Sequence, residues 1–365
     1  MITRNRVFWC LTAMMLLLSR ETRAQSEIFL GEIRMTAATT APSGWYFCQG
    51  QTLPITQYTA LFSLLGTYYG GNGSTTFGLP DLRGRVPVGY GQGTGLSSYT
   101  LGQTGGVESV TLTVNQIPSH THSVEVDLLP GTTSKPVAAL LAKYPGIPSY
   151  GTSPAVAMSS STVTSTGSGQ SHTNIQPYLA VNYMIAAQGV FPQSSGSVAT
   201  PDAYVGEIRL AGFDVTPVGW VDCNGQLLSV STYSSLFGLI GTTYGGDGVS
   251  TFAVPDLRSR VPLCANSGGA YAPGDTGGEE SHTLTVSEMP KHTHSLGVSS
   301  AVATTTNPMG AVPARNAAAD LMYGATSGGT MGTAFLTTAG GGQSHENRQP
   351  FLALHFIICV SGVTP

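Results

Sequence analysis

Charge is what this chain has least of. Asp, Glu, Lys and Arg make up 9% of its 365 residues, against about 25% in a typical soluble domain. Its 15 Lys and Arg are outnumbered by 19 Asp and Glu. No basic surface is left to neutralise a phosphate backbone, so nucleic acid is not expected as a partner. Cysteine is scarce at five, and no Cys-x-x-Cys occurs, so a thiolate zinc site is not expected. The mostly apolar run from Val7 to Leu18 is shorter than the roughly 20 residues that cross a bilayer, and no later stretch reads as a membrane span. Nucleophile elbows, His-Glu-x-x-His pairs and dinucleotide fingerprints are also missing, and no enzyme is expected.

Glycine, by contrast, is abundant at 47 residues, and the apolar share of 41% is enough for a core. That balance suits short strands, tight turns and long ordered loops better than a helical enzyme. Residues 1–24 read as a secretory signal peptide. Arg4 and Arg6 form the basic start, Val7–Leu18 the apolar stretch and Thr22-Arg23-Ala24 the small-residue cleavage site. Cleavage near Ala24 predicts a secreted protein, extracellular or at the cell surface, more acidic than the formal net charge of −4. Export permits disulfides. Cys48, Cys223, Cys264 and Cys359 then allow three complete pairings, which sequence does not rank. Cys48 and Cys223 hold equivalent places in a repeat, so any bridge is expected among Cys223, Cys264 and Cys359, the alternative being buried thiols.

The repeat is direct. Gly31-Glu32-Ile33-Arg34 returns as Gly206-Glu207-Ile208-Arg209, and Tyr69–Pro87 returns as Tyr244–Pro262. Pro118-x-His120-Thr121-His122 returns as Pro290-x-His292-Thr293-His294, and Gln170–Ala180 returns as Gln343–Ala353. Two domains follow, 27–190 and 202–365, with a flexible polar linker at 191–201. Each copy predicts an opening strand (Ile28–Met35; Ala203–Leu210) and a strand from Trp45 to Cys48 or its counterpart. A short helix comes next, with Thr56 or Ser231 as N-cap and Gly66 or Gly241 as terminator. Apolar closing strands (Tyr178–Ala187; Phe351–Val360) are placed centrally in the sheet. The inserts, about 128–169 and 297–342, are rich in Ser, Thr, Ala and Gly and read as long surface loops.

Few residues could carry chemistry. In a strand, His120 and His122 share a face, as do His292 and His294. Two imidazoles are not a metal site; they become one only if chains associate or His172, His282 or His345 joins them. Imidazole then suits a transition metal such as zinc or iron. The alternative is that these histidines pack or cap a turn. Asn174 and Gln176, with Asn347 and Gln349, are expected to satisfy backbone groups in a hinge before each closing strand. Pro-Asp-Leu-Arg-x-Arg sets Asp81 beside Arg83 and Arg85, and Asp256 beside Arg258 and Arg260, as a structural ion pair. Tyr-Gly-Gly-Asn/Asp-Gly lacks the Lys of a phosphate loop and the alternating acids of a calcium loop, and reads as a turn. Trp45 and Trp220 are expected as core anchors, the alternative being exposed aromatics that stack on sugars.

Together these residues resemble the phage tail collar domain family, which also contains the bacterial microcystin-dependent proteins. The resemblance is carried by Gly31-Glu32-Ile33, Gly44-Trp45, Cys48-Gln49-Gly50-Gln51, Tyr69-Gly70-Gly71, Pro80-Asp81-Leu82-Arg83-Gly84-Arg85, Gly105-Gly106 with Glu108, and the His-x-His segment. Copy two matches more closely, since Val110 stands where copy two has His282. The family implies a mainly β fold with short helices (α+β), here two tandem collar-like modules with long Ser/Thr/Gly-rich insert loops. It implies self-association as a trimer or fibre, metal held by His-x-His pairs in similar tail fibre tips, and a structural or receptor-contact role. The expected function is a secreted, non-enzymatic structural or adhesive subunit of an extracellular or cell-surface fibre assembly. The alternative is a module that binds a cell-surface glycan or protein receptor through its inserts. The signal peptide departs from virion parts made in the cytoplasm.

Overall fold

Alternating apolar and polar side chains make the repeated Gly-Glu-Ile-Arg segment a strand in both copies, and pairing of those two strands with each other organises the chain. The structure is a computed structural model and describes residues 28–120, 125–130, 132, 140–143, 169–196, 203–265, 271–290, 299–302, 314–315, 323–324, 329–330 and 339–365. The signal-peptide segment lies outside the described residues.

The principal elements are β1 (Glu32–Thr36), β2 (Trp45–Phe47), α1 (Thr59–Leu65), β3 (Val86–Gly89), β4 (Thr104–Gly105), β5 (Asn182–Ala186), β6 (Ile208–Ala211), β7 (Trp220–Asp222), α2 (Ser234–Ile240) and β8 (Phe351–Cys359). One sheet runs β7-β8-β6-β1-β5-β2, with β3 and β4 also bonded to β8. The closing strands are central as expected: β5 lies between β1 and β2, and β8 between β6 and β7. At the middle, β1 pairs antiparallel with β6, Glu32 opposite Ala211 and Ile33 opposite Leu210.

Compactness therefore cuts the chain differently from the repeat. One unit gathers the described residues up to Glu108 together with Asn174–Glu280 and Arg348–Pro365. Its core mixes the copies. Leu61, Leu65, Phe77 and Ile185 of copy one cluster with Phe213, Trp220, Leu354 and Ile357 of copy two. Phe252, Leu236, Val254 and Ile358 centre a second cluster. Each such side chain removed from water contributes about 1.5–3 kcal/mol before entropy is counted. The other unit gathers Ser109–Thr173 and Ser281–Asn347. There Ser109–Val110 pairs with His172–Thr173, and Ser281–His282 with His345–Glu346. Some of the described insert residues form strands. Glu125–Pro130, Leu140–Lys143, Tyr323–Gly324 and Gly329–Thr330 form one sheet drawn from both copies. Backbone donors and acceptors of one insert are satisfied by the other, which composition alone does not reveal.

Three boundaries differ from the sequence reading. Gly31 takes φ +82°, so β1 begins at Glu32 instead of residue 28. Thr56 is not the N-cap. The Gln57 and Tyr58 amides bond Pro54 and Ile55, Tyr58 shares a hydroxyl–hydroxyl bond with Tyr46, and α1 starts only at Thr59. Ser231 likewise yields to Tyr233 in copy two. Finally, copy one's closing strand forms only over Asn182–Ala186, whereas copy two's runs nine residues from Phe351.

Candidate functional site

Of the four histidines expected to form pairs, His120 is described, and its Nδ1 lies 2.9 Å from the Pro118 carbonyl in a tight turn. His122, His292 and His294 lie outside the described residues. A second group does converge. The ring of His345 meets those of His172 and His282 edge-on, with centroids 5.7 Å apart in each case. His282 Nε2 also lies 3.4 Å from Glu288, whose carboxylate accepts the Thr285 amide and is held below its usual range chiefly by that bond. Among the described residues no group of three or more His, Cys, Asp or Glu is arranged to hold a metal ion.

The Asp-Leu-Arg segments are structural clasps, built alike in both copies. Arg83 grips Asp81 through two parallel bonds of 2.9 Å, and Arg258 grips Asp256 at the same distances. Arg83 keeps the Asp81 carboxyl below its ordinary range. The Gly-rich turns are equally explained by geometry. Asn72 Oδ1 accepts the amides of Ser74, Thr75 and Thr76, and Asp247 Oδ1 accepts those of Val249, Ser250 and Thr251. A Cβ on Gly71 would stand 2.3 Å from the Phe77 Cα, so only glycine fits. Asn174 is buried and donates to the Arg348 and Val107 carbonyls, as the hinge reading expects. Trp220 is a core anchor packed on Phe29 beneath Arg209, while Trp45 is only half-buried beside Arg34. All four described cysteines are thiols; Cys48, Cys223 and Cys359 are buried and Cys264 is exposed.

The most developed feature of the sheet unit is a joint between the copies. The first four residues of β8 lie parallel to β3, Phe351 opposite Val86 through Leu354 opposite Gly89. Phe351 and Leu352 also pair with β4. The Phe351 ring packs on Tyr99 at 4.9 Å between centroids. The Tyr99 hydroxyl donates to Glu280 and accepts from Arg348 at 2.7 Å. Glu280 further accepts the Ser97 amide and hydroxyl at 2.9 and 2.8 Å. The groove closes on the strand so tightly that side chains are barred from its floor. A Cβ on Gly105 would stand 2.6 Å from the Phe351 ring, and one on Gly106 would stand 2.0 Å from the Gln349 carbonyl oxygen. Copy one thus supplies a groove and copy two a strand. Sequence reading found these glycines but not their purpose. The signal was available, because Tyr99-x-x-x-x-x-Gly105-Gly106 returns as Tyr271-x-x-x-x-x-Gly277-Gly278.

With this geometry in hand, comparison with known proteins is decisive on one point. The sequence model of the Phage Tail Collar Domain matches residues 31–87 and again 206–262. Both stretches are thus similar to phage tail collar domains. The two matches cover β1 through the first half of β3 and the corresponding residues of copy two, including both Asp-Arg clasps. The chain is also 43% identical over 70 residues to the short tail fiber protein gp12 of Enterobacteria phage T4. That likeness covers 19% of this chain and 13% of the relative. No helix among the described residues is long and apolar enough to cross a membrane.

Proposed function

We propose that the chain is a secreted, non-enzymatic structural subunit of a fibre-like assembly outside the cytoplasm. The observation that carries this reading is the joint just described, in which one collar domain is completed by the closing strand of the next. A module finished by its neighbour is a building element, and the polar groups repeated in both copies are spent on clasps and turns. Secretion rests on the leader from Arg4 to Ala24. The likeness to a short tail fiber protein supports the assembly role. A second reading is favoured by one observation: residues of both inserts gather into a unit of their own. That unit is suited to touching a glycan or protein receptor while the sheet unit supplies the frame.

The test is to label the cell surface with an antibody to the sheet unit, image it by negative-stain electron microscopy, and sequence the N-terminus of the exported chain. Labelled fibrous or patched material beginning near Gln25 is the expected result. Uniformly cytoplasmic, uncleaved and monomeric protein would remove the proposal.

A further inference from the structure

Among the described residues the groove-and-strand joint is formed once, but the sequence holds the parts for it twice. Copy two repeats the groove. Val261, Pro262 and Leu263 correspond to Val86, Pro87 and Val88, Tyr271 to Tyr99, and Gly277-Gly278 to Gly105-Gly106. Copy one repeats the strand, with Tyr178, Leu179, Ala180 and Val181 standing for Phe351, Leu352, Ala353 and Leu354. The two sets differ completely in environment. Phe351 to Leu354 are at most 4% exposed, while Tyr178 and Leu179 are 76% and 86% exposed. Tyr99 is 3% exposed, while Tyr271 is 55% and Leu263 71%. Val86–Gly89 is a strand, and 261–264 lies outside any strand.

The glycines decide the matter. Gly105 and Gly106 are required because Phe351 and Gln349 lie against them. At Gly277 and Gly278 an added Cβ meets nothing within 4 Å. A slot shaped for a closing strand has been kept where the described residues of this chain place none. Glu108, exposed, is kept at the position of Glu280, the residue that clasps Tyr99. Segment 178–181 and the groove at 261–263 and 277–278, open among the described residues, are therefore complementary and belong to the same chain.

We infer that the exposed segment Tyr178–Val181 of one chain, which leads into β5, docks as a strand parallel to residues 261–263 of a second copy, seating Tyr178 between Tyr271 and Gly277-Gly278. This deepens the proposed assembly role and rests on it. The joint is heterologous, strand into groove, so each chain offers one of each. It is not a perfect replica of the internal one. At Gly89 a Cβ would stand 1.9 Å from the Leu257 carbonyl oxygen, and copy two has Cys264 there. Ile175 also replaces Arg348, so the bond to the tyrosine hydroxyl is lost. The pairing accordingly ends at Leu263, and the joint between chains is weaker than the one within.

The experiment uses the full exported chain and two variants, L179D in the strand and Gly277→Leu in the groove. Both positions are open in the single chain, so circular dichroism and thermal midpoint should match the parent. Light scattering after size exclusion should show the parent growing with concentration and each variant monomeric, with association at least tenfold weaker. Mixing the two variants should restore one intact strand facing one intact groove, giving a 1:1 pair that grows no further. A parent that stays monomeric at high concentration, variants that assemble like the parent, or a mixture that fails to pair would each overturn the inference. The reading of function fails separately. If surface fibres persist with both variants, the joint lies elsewhere but the fibre role stands. If purified chains pair as described but no surface assembly is imaged, the joint stands and the fibre role falls.

Discussion

Glu32 and Glu207 occupy the same place in the two copies, yet removing them should cost different amounts. Glu32 is 1% exposed. It lies 2.5 Å from Arg34 and 3.2 Å from Arg209, and it accepts the Phe29 amide at 3.1 Å. Arg209 belongs to β6, so this carboxylate ties the copies together across the β1–β6 pairing. Glu32→Ala would leave the buried Arg209 with Glu207 alone and the buried Phe29 amide without its side-chain acceptor. Loss of one partner from a buried pair costs about 3–5 kcal/mol. Glu207 has a side chain one-third exposed, and it bonds Arg209 at 2.8 Å and the Tyr204 amide at 3.1 Å. Water can replace it, and Arg209 would keep Glu32, so Glu207→Ala should cost about 1 kcal/mol or less. Urea unfolding followed by tryptophan fluorescence suits the measurement, because Trp45 and Trp220 both sit in this unit. With a slope of about 3 kcal/mol per molar, Glu32→Ala should lower the midpoint by about 1.3 M and Glu207→Ala by no more than about 0.3 M. Equal shifts would refute the argument, since they would mean that β1 and β6 are not joined through Glu32.

Acid should loosen the same unit through Asp222. Its carboxyl is held below the ordinary range, first by the bond from buried His355 at 3.0 Å and then, against partial burial, by the Thr216 hydroxyl. A depressed carboxylate stabilises fully above the unfolded value of about 3.9 and loses that contribution as pH falls through its folded value. Asp222→Asn should therefore flatten stability between pH 5 and pH 2, as read from thermal midpoints across that window. Gly71→Ala and Gly246→Ala should each cost at least about 2 kcal/mol, by left-handed strain plus overlap with the Phe77 or Phe252 backbone, and chemical denaturation will show it. Cys48 and Cys223, both buried and with thiols pushed well above their ordinary range chiefly by that burial, should stay unlabelled by a maleimide until urea passes the midpoint. Mass spectrometry of quenched samples checks that.

The local content of each collar domain was legible because it is written in local chemistry. The Gly31-Glu32-Ile33-Arg34 strand, the Leu61, Phe62 and Leu65 helix face, the Gly66 terminator and the Asp81–Arg83 clasp depend on residues a few positions apart. So does the turn at Gly71, where close approach to Phe77 permits glycine alone. What was not legible is the choice of partner. Phe351–Leu354 and Tyr178–Val181 have almost the same pattern, and each could fit either of two similar grooves. Only tertiary packing shows that Phe351 settles on Tyr99 and Gly105 of the other copy. Pairing between the inserts is illegible for a different reason. Their strands pair through backbone groups between copies, and a Ser/Thr/Gly-rich composition carries no periodicity from which such pairing can be read. Thr56 has the chemistry of an N-cap, but the Gln57 and Tyr58 amides close turns onto Pro54 and Ile55, and the helix starts only at Thr59.

Tandem duplication changes the physics of a joint in which one module completes the next. Within one chain, strand and groove meet at the effective concentration set by their tether, of millimolar order for short flexible linkers. The internal joint, with Arg348, Glu280 and Gly89 all in place, is thus formed in every folded chain. Between chains the same chemistry must compete with dilution, and it does so with Ile175 and Cys264 where the internal joint has Arg348 and Gly89. The weakening falls on the joint that should form last. A chain so built completes its internal joint before it associates with another chain. Restoring the internal pattern by replacing Ile175 with Arg and Cys264 with Gly should strengthen association between chains while leaving the folded chain's own stability unchanged.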